Sequence, residues 1–142
     1  MTQPTLDIVT AVIRDEIGRM LVVRKRGTAI FMKPGGKREP GENDLTALAR
    51  ELEEELGCRL LSASLLGAFA APAANEPGFT VRSTTYLARV AGSIAPGAEI
   101  VELAWIDPIN PGDLPLAPLL RAVLENLDFP VIPAETERST EA

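Results

Sequence analysis

Two β-branched, aliphatic runs open the chain. Residues 6–13 (LDIVTAVI) are apolar almost throughout, and residues 20–23 (MLVV) repeat that character after Asp15-Glu16-Ile17-Gly18. Such runs around a Gly-containing turn predict a β-hairpin. Residues 29–33 predict a short third strand. Pro34-Gly35-Gly36 should end it, because this segment cannot continue regular structure, and it lets a ligand approach the backbone closely. The period then changes. Leu45, Leu48, Ala49, Leu52 and Leu56 recur at helical spacing between a capping Asn43 and a stop at Gly57, predicting a helix over 44–56. Residues 60–71 and 79–90 predict two strands joined by a Pro/Ala/Asn/Gly-rich loop at 72–78, the second alternating from Thr80 to Leu87. After a loop at 92–98, residues 100–106 predict a strand with Trp105 buried, and 117–127 a second helix. Residues 130–142 are polar without an apolar period and predict a disordered tail. No internal repeat or second domain is visible, so residues 1–130 are expected to form one domain. Strands first, a helix in the middle and a helix at the end predict an α/β fold in which a mixed sheet is covered by helices.

Composition narrows the chemistry. The 142 residues are 46% apolar and 24% charged, as in ordinary soluble domains. There is no histidine, which removes Ser-His-Asp and Cys-His dyads, an imidazole base and His-ligated zinc. The single cysteine, Cys58, excludes an internal disulfide and makes a reducing cytoplasm the default expectation. Residues 1–7 carry no basic region followed by an apolar core, so no signal peptide is expected, and no apolar run approaches the roughly 18 residues of a membrane span. The net charge of −6 argues against nucleic acid or an anionic membrane as partner. Its distribution is more informative. Residues 14–38 hold eight basic and two acidic side chains, whereas residues 42–55 hold six acidic side chains and only Arg50 as a base.

On the predicted helix Glu51, Glu54 and Glu55 share a face beside the apolar stripe, at the edge of the core. Like charges at i, i+3 and i+4 repel, and more so when partly buried. A hard divalent cation with oxygen ligands, Mg²⁺ or Mn²⁺, is the natural way to neutralise them. An acidic run alone could equally be a solvated helix face; the arrangement around it decides. From Gly36, five residues lead to Glu42 and seven more to Arg50-Glu51, followed by Leu52, any residue, Glu54-Glu55, any residue, Gly57 and the apolar Cys58.

This 23-residue pattern, Gly36 to Cys58, resembles the Nudix box with every defining position filled. Pro34-Gly35-Gly36-Lys37 before it, Glu99 and Trp105 after it, and the order of elements over residues 6–128 are also similar to Nudix hydrolases. The resemblance implies an α/β/α sandwich with a mixed, partly antiparallel sheet. It also implies Mg²⁺-dependent hydrolysis of a nucleoside diphosphate linked to another moiety, with Mn²⁺ as a possible substitute and water attacking phosphorus. The residues suit that chemistry, which needs metal to cancel phosphate charge, a carboxylate to activate water and cations for the leaving group. By the resemblance, Glu51, Glu54, Glu55 and a backbone carbonyl at Gly35 or Gly36 hold the metal, and Arg50 orients a carboxylate. The general base is either a box glutamate, Glu51 or Glu54, or Glu99 on a later loop, with Glu102 as its local competitor. Glu42 is expected to support the loop or an outer metal.

Arg24 and Lys37 are expected to contact phosphate and Gly35 to bring its backbone against the substrate; Lys25, Arg26 and Arg38 read as a solvated rim, and Lys33 could point into the cleft or away. The expected substrate is a small nucleotide, foremost a nucleoside triphosphate. An ADP-ribose or nucleotide-sugar pyrophosphatase, or a catalytically weak nucleotide-binding module, is the alternative. Residues 113–120 lack the base-reading asparagine of 8-oxo-guanine triphosphatases, and Asn75 stands near where dinucleoside polyphosphate hydrolases carry a tyrosine. Phe31, Phe69, Phe79, Tyr86 and Trp105 are the candidate walls of a base pocket. Family members are monomers or homodimers, and the sequence does not choose.

Overall fold

The computed structural model describes residues 4–74 and 76–129. The expected tail and Asn75 lie outside them. Strands β1 (Thr5–Ile13), β2 (Met20–Lys25), β3 (Phe31–Met32) and β4 (Gly35–Lys37) precede helix α1 (Asp44–Leu56). Strands β5 (Arg59–Pro72), β6 (Thr80–Ala91) and β7 (Ile100–Ile106) and helix α2 (Pro118–Asn126) follow. The class is α/β with helices over mixed sheet, as the sequence predicts, but the strands form two sheets. One has the order β4-β1-β6-β5, with β1 parallel to β6 and its other pairings antiparallel. The other, β3-β2-β7, is antiparallel throughout.

The division corrects the predicted hairpin. β1 and β2 share a single bridge, Arg14 to Met20, and then diverge into different sheets. β1 is interior to its sheet, paired on both edges and buried along Val9–Ile13, which is why it reads as a continuous apolar run. The glycine segment is the second correction. Gly35–Lys37 does continue regular structure, as β4, with Gly35 opposite Thr10. Gly35 has φ +141°, and a Cβ there would collide with the Val9 carbonyl oxygen and meet the Thr10 Cα at 2.7 Å. Only glycine lets the strand pair so closely.

α1 begins where expected, its Asn43 Oδ1 accepting from the Thr46 N–H at 2.9 Å, and ends on Gly57 in the left-handed region. Its inward face is turned from the predicted stripe. Ala47, Leu48, Leu52, Glu55 and Leu56 are buried, while Leu45 is 46% exposed. The buried arc is therefore centred near Leu48 and Glu55, which draws the acidic face inward. One core packs α1 against Val9, Ala11 and Ile13 of β1 and Leu21 and Val23 of β2. A second, on the opposite side, joins Leu120 and Val123 of α2 to Val12, Met20, Val22 and Phe31. Trp105, expected to be buried, is half-buried at the edge of the first core. The segment before α2 is pinned to β3, Phe31 N–H donating to the Pro115 carbonyl at 2.8 Å and Ala117 N–H to the Phe31 carbonyl at 2.9 Å.

Candidate active site

A cavity of about 550 Å³ opens between the first sheet, the glycine turn, the 72–78 loop and the N-terminal turn of α2. Glu51, Glu54 and Glu55 line it, as do Gly35, Gly36, Lys37 and Glu99, so most of the sequence-derived site residues meet around one space. Gly36 makes room for the acids: a Cβ there would lie 2.6 Å from the Glu51 carboxylate. Glu55 is only 6% exposed and accepts the Gly35 N–H at 3.1 Å. Burial, reinforced by the neighbouring charges of Glu51 and Glu54, pushes its carboxyl up to about 7, against the pull of that N–H and of Lys25.

Arg50 binds the acids from the other side. Its guanidinium holds Glu42 in a two-pronged pair, Nε to Oε2 and Nη2 to Oε1, both at 2.8 Å. Nη1 reaches Glu51 at 3.0 Å and Glu54 at 3.2 Å, and Nη2 also donates to the Lys37 carbonyl at 3.0 Å. Arg50 thus ties the β4 strand to the middle of α1. The pairing with Arg50, helped by the Glu39 N–H, holds Glu42 down to about 2, and the guanidinium's own affinity for its proton is raised. Glu42 is absent from the cavity lining and braces the loop between β4 and α1.

The donor set suits a hard cation: oxygen ligands only, with a desolvated carboxylate among mutually repelling ones. Among the described residues, however, no three acidic side chains already converge as a metal cage. Arg50 bridges Glu51 and Glu54 instead, engaging one oxygen of Glu51 and both of Glu54.

The loop after β6 is fastened to the end of α1. Ala95 N–H donates to the Leu56 carbonyl at 3.0 Å and Gly97 N–H to the Glu55 carbonyl at 2.9 Å. These bonds occupy carbonyls the helix terminus leaves free. A Cβ on Gly97 would sit 2.6 Å from the Glu54 carbonyl oxygen, and Ala98 follows at φ +50°. The result brings Glu99 to the cavity. Its competitor Glu102 points elsewhere, accepting from Arg24 Nε at 2.8 Å.

That pair is the main correction among the basic residues. Arg24 is not in the cavity lining; Glu102 and the Thr28 carbonyl engage it, and Lys25, read as rim, lines the cavity instead. Arg38, also read as rim, is tied to Asp44 at 2.6 Å, and Tyr86 Oη donates to the same carboxylate at 2.6 Å. None of the five candidate aromatics lines the cavity: Phe31 and Phe69 pack into the second core, and Tyr86 and Trp105 against the first. The apolar part of the lining is aliphatic. Glu76 of the 72–78 loop, which sequence reasoning left out, also lines it, as does the buried Lys33, whose direction the sequence left open. A lysine closing the apolar run Ala29–Met32, directly before Pro-Gly-Gly, was the available signal for Lys33. Burial drives its ammonium down to about 7.

Among the described residues no helix is long and apolar enough to cross a membrane. A family model for the NUDIX domain matches residues 4–127. The chain is 27% identical over 107 residues to a Bacillus subtilis (strain 168) protein, covering 74% of this chain and 66% of that one. It is 34% identical over 73 residues to the 8-oxo-dGTP diphosphatase of Haemophilus influenzae, 49% of this chain and 54% of that one. It thus spans less than two-thirds of either relative. The crystal structure of the MutT NUDIX hydrolase from Burkholderia pseudomallei is 26% identical, with a TM-score of 0.74 over 89% of this chain and all of that one. With the box complete, its acids on one cavity and the family model spanning nearly all the described residues, the chain belongs to the Nudix hydrolase family.

Proposed function

We propose that residues 1–130 form one Nudix domain acting in the cytoplasm as a Mg²⁺-dependent pyrophosphohydrolase, with Mn²⁺ able to substitute. It cleaves the pyrophosphate bond of a nucleoside triphosphate or related nucleoside diphosphate derivative by attack of water at phosphorus. The observation that carries this reading is the meeting of three box carboxylates, two glycines, Lys25, Lys37 and Glu99 around one cavity. Glu51, Glu54, Glu55 and the Gly36 carbonyl hold the metal, which when bound supplies charge neutralisation at phosphate and a more acidic water. Arg50 sets the directions of Glu51 and Glu54. Lys25 and Lys37 balance phosphate charge that the metal leaves over. A carboxylate takes the proton from water, since the chain has no histidine. Between the later acids the geometry supports Glu99, because Glu102 is occupied by Arg24. The relative named 8-oxo-dGTP diphosphatase supports placing nucleoside triphosphates first among substrates.

The test is a nucleotide panel with Mg²⁺ and a phosphate-release assay, Glu54→Gln serving as control. Turnover that falls about 10²-fold or more in the variant is expected. No turnover of any nucleotide, or a variant as active as the parent, overturns the reading.

A further inference from the structure

Lys33 is 4% exposed and lines the cavity, yet among the described residues its ammonium meets only hydroxyls. It donates to Thr10 Oγ1 at 2.8 Å and, more weakly, to Thr85 Oγ1 at 3.4 Å; no carboxylate pairs with it. Thr10 Oγ1 lies 2.6 Å from Ser83 Oγ, which is 3.1 Å from Thr85 Oγ1, so three hydroxyls and one ammonium make a connected polar patch. The period of two along a strand puts Thr10 on the same face as Leu6 and Ile8, and Ser83 and Thr85 on the same face as Val81. Of this patch Thr10 and Lys33 line the cavity, with Ser83 and Thr85 fully buried behind them, and the apolar side chains beside the two, Ile8, Met32 and Leu119 among them, are aliphatic.

A buried cation without a counter-charge is expensive, and a Met of similar volume would pack there without that cost. The hydroxyls take two of three donors, leaving one for whatever fills the cavity. Phosphate is the poorer match: in the reading above Lys25, Lys37 and a metal held by the acids balance it, and a polyphosphate laid against the aliphatic side chains around Lys33 would shed its hydration. A flat, neutral base suits aliphatic walls and needs one polar contact at its edge.

Resting on the reading of the cavity as a nucleotide site, we propose that Lys33 is a specificity residue. It selects bases that present an acceptor, as guanine does with O6 and N7 or uracil and thymine with O4, over adenine and cytosine, which present an amino group there. The ammonium form of Lys33 can only donate, so an amino group opposite it is a donor facing a donor, and the comparison below is made at pH 6.

The test compares kcat/KM for GTP, UTP, ATP and CTP with Mg²⁺ in wild type, Lys33→Met and Lys33→Gln, alongside calorimetric titration of GMP and AMP without divalent metal. Wild type is expected to favour the oxo bases by about tenfold to a hundredfold, and both variants to collapse that ratio toward one, chiefly through KM. A loss equal across all four nucleotides makes Lys33 a phosphate contact and overturns the proposal. So does a wild type that binds GMP no better than AMP. If no nucleotide is hydrolysed but wild type still binds GMP over AMP and Lys33→Met does not, the specificity role stands and the hydrolase reading alone fails.

Discussion

Two cations flank the glycine turn, and the fold treats them in opposite ways. Arg50 is surrounded by charge: Glu42, Glu51 and Glu54, with Glu39 at 3.4 Å, all lie within ion-pair distance. Lys33 is deeper, yet among the described residues meets only hydroxyls. The acids divide in the same way. Glu42 is closed on Arg50 and held down to about 2, whereas Glu55 has one backbone N–H and is pushed up to about 7. Charges closed on one another build the loop-to-helix joint. The open charges, Lys33 and Glu55, line the cavity, which Glu51 and Glu54 share with the joint, and a ligand or metal bound there would relieve the penalty of burying them.

The contrast is sharpest at Lys33. With the folded-state ammonium at about 7 and its usual value at 10.5, the unfolded chain binds a proton that the folded chain lacks between those values. Stability therefore rises with pH across that window, and the full penalty stands below about pH 7. Lys33→Met is expected to stabilise the protein by up to about 4 kcal/mol at pH 6 and by progressively less toward pH 10, read from urea unfolding. A variant no more stable than wild type at pH 6 would show that the hydroxyls satisfy the ammonium, and the comparison would lose its open half.

Glu55 runs the other way. Its folded-state value is raised from 4.5 to about 7, so its contribution is fully favourable below pH 4.5 and is lost as pH climbs through 7. Glu55→Gln is expected to gain about 3 kcal/mol at pH 8 in the presence of a chelator and almost nothing at pH 4.5. Adding Mg²⁺ at pH 8 should raise the wild-type Tm and leave the variant's nearly unmoved, because the relieved repulsion and the lost ligand are the same group. A wild-type Tm indifferent to Mg²⁺ and Mn²⁺ would separate Glu55 from metal binding.

Arg50 tests the closed half. Arg50→Met frees Glu42, Glu51 and Glu54 to repel one another and cuts the tie to the Lys37 carbonyl. Because these groups reach solvent, the loss is smaller, on the order of 5 °C in Tm at pH 7. Glu42 sits below its ordinary value, so the stability it draws from Arg50 is present above pH 4.5 and fades as pH falls toward 2. The Tm difference between variant and parent should shrink over that range, and a constant difference would assign the effect to packing.

The same division explains what could be read from sequence. Fixed spacing made the closed machinery legible: Gly36, Glu42, Arg50 and Glu51 interlock over short chain distances, and α1 carries its own cap and stop. Partners distant in sequence were not legible. The apparent hairpin of β1 and β2 failed because β1 found β6, some 75 residues on, a better neighbour, as the register of Ile8 opposite Ser83 shows. Lys33 was left open for the same reason, its partners Thr10 and Thr85 being brought together only by that parallel pairing. Leu45 misled because helical spacing alone does not say which side of a stripe faces the sheet; Ala47 and Glu55 turn inward in its place.

Arg24 and Lys25 give the smallest expected effect and the finest cut. Consecutive strand residues point to opposite faces, and a register irregularity falls between these two. Arg24 closes on Glu102, an exposed pair, while Lys25 stays open to the cavity and helps hold Glu55 ionised. Arg24→Gln should therefore cost no more than about 1 kcal/mol and leave kcat and KM for the preferred nucleotide alone. Lys25→Gln should raise KM severalfold with little change in stability, since among the described residues no ion pair is broken while attraction for phosphate is lost. Were Arg24→Gln instead to raise KM as Lys25→Gln does, the Arg24–Glu102 pair would have to open when substrate binds. An ion pair seen in the unliganded protein would then be a reserve of positive charge, and the line between closed and open groups would have to be drawn by ligand state as well as by position.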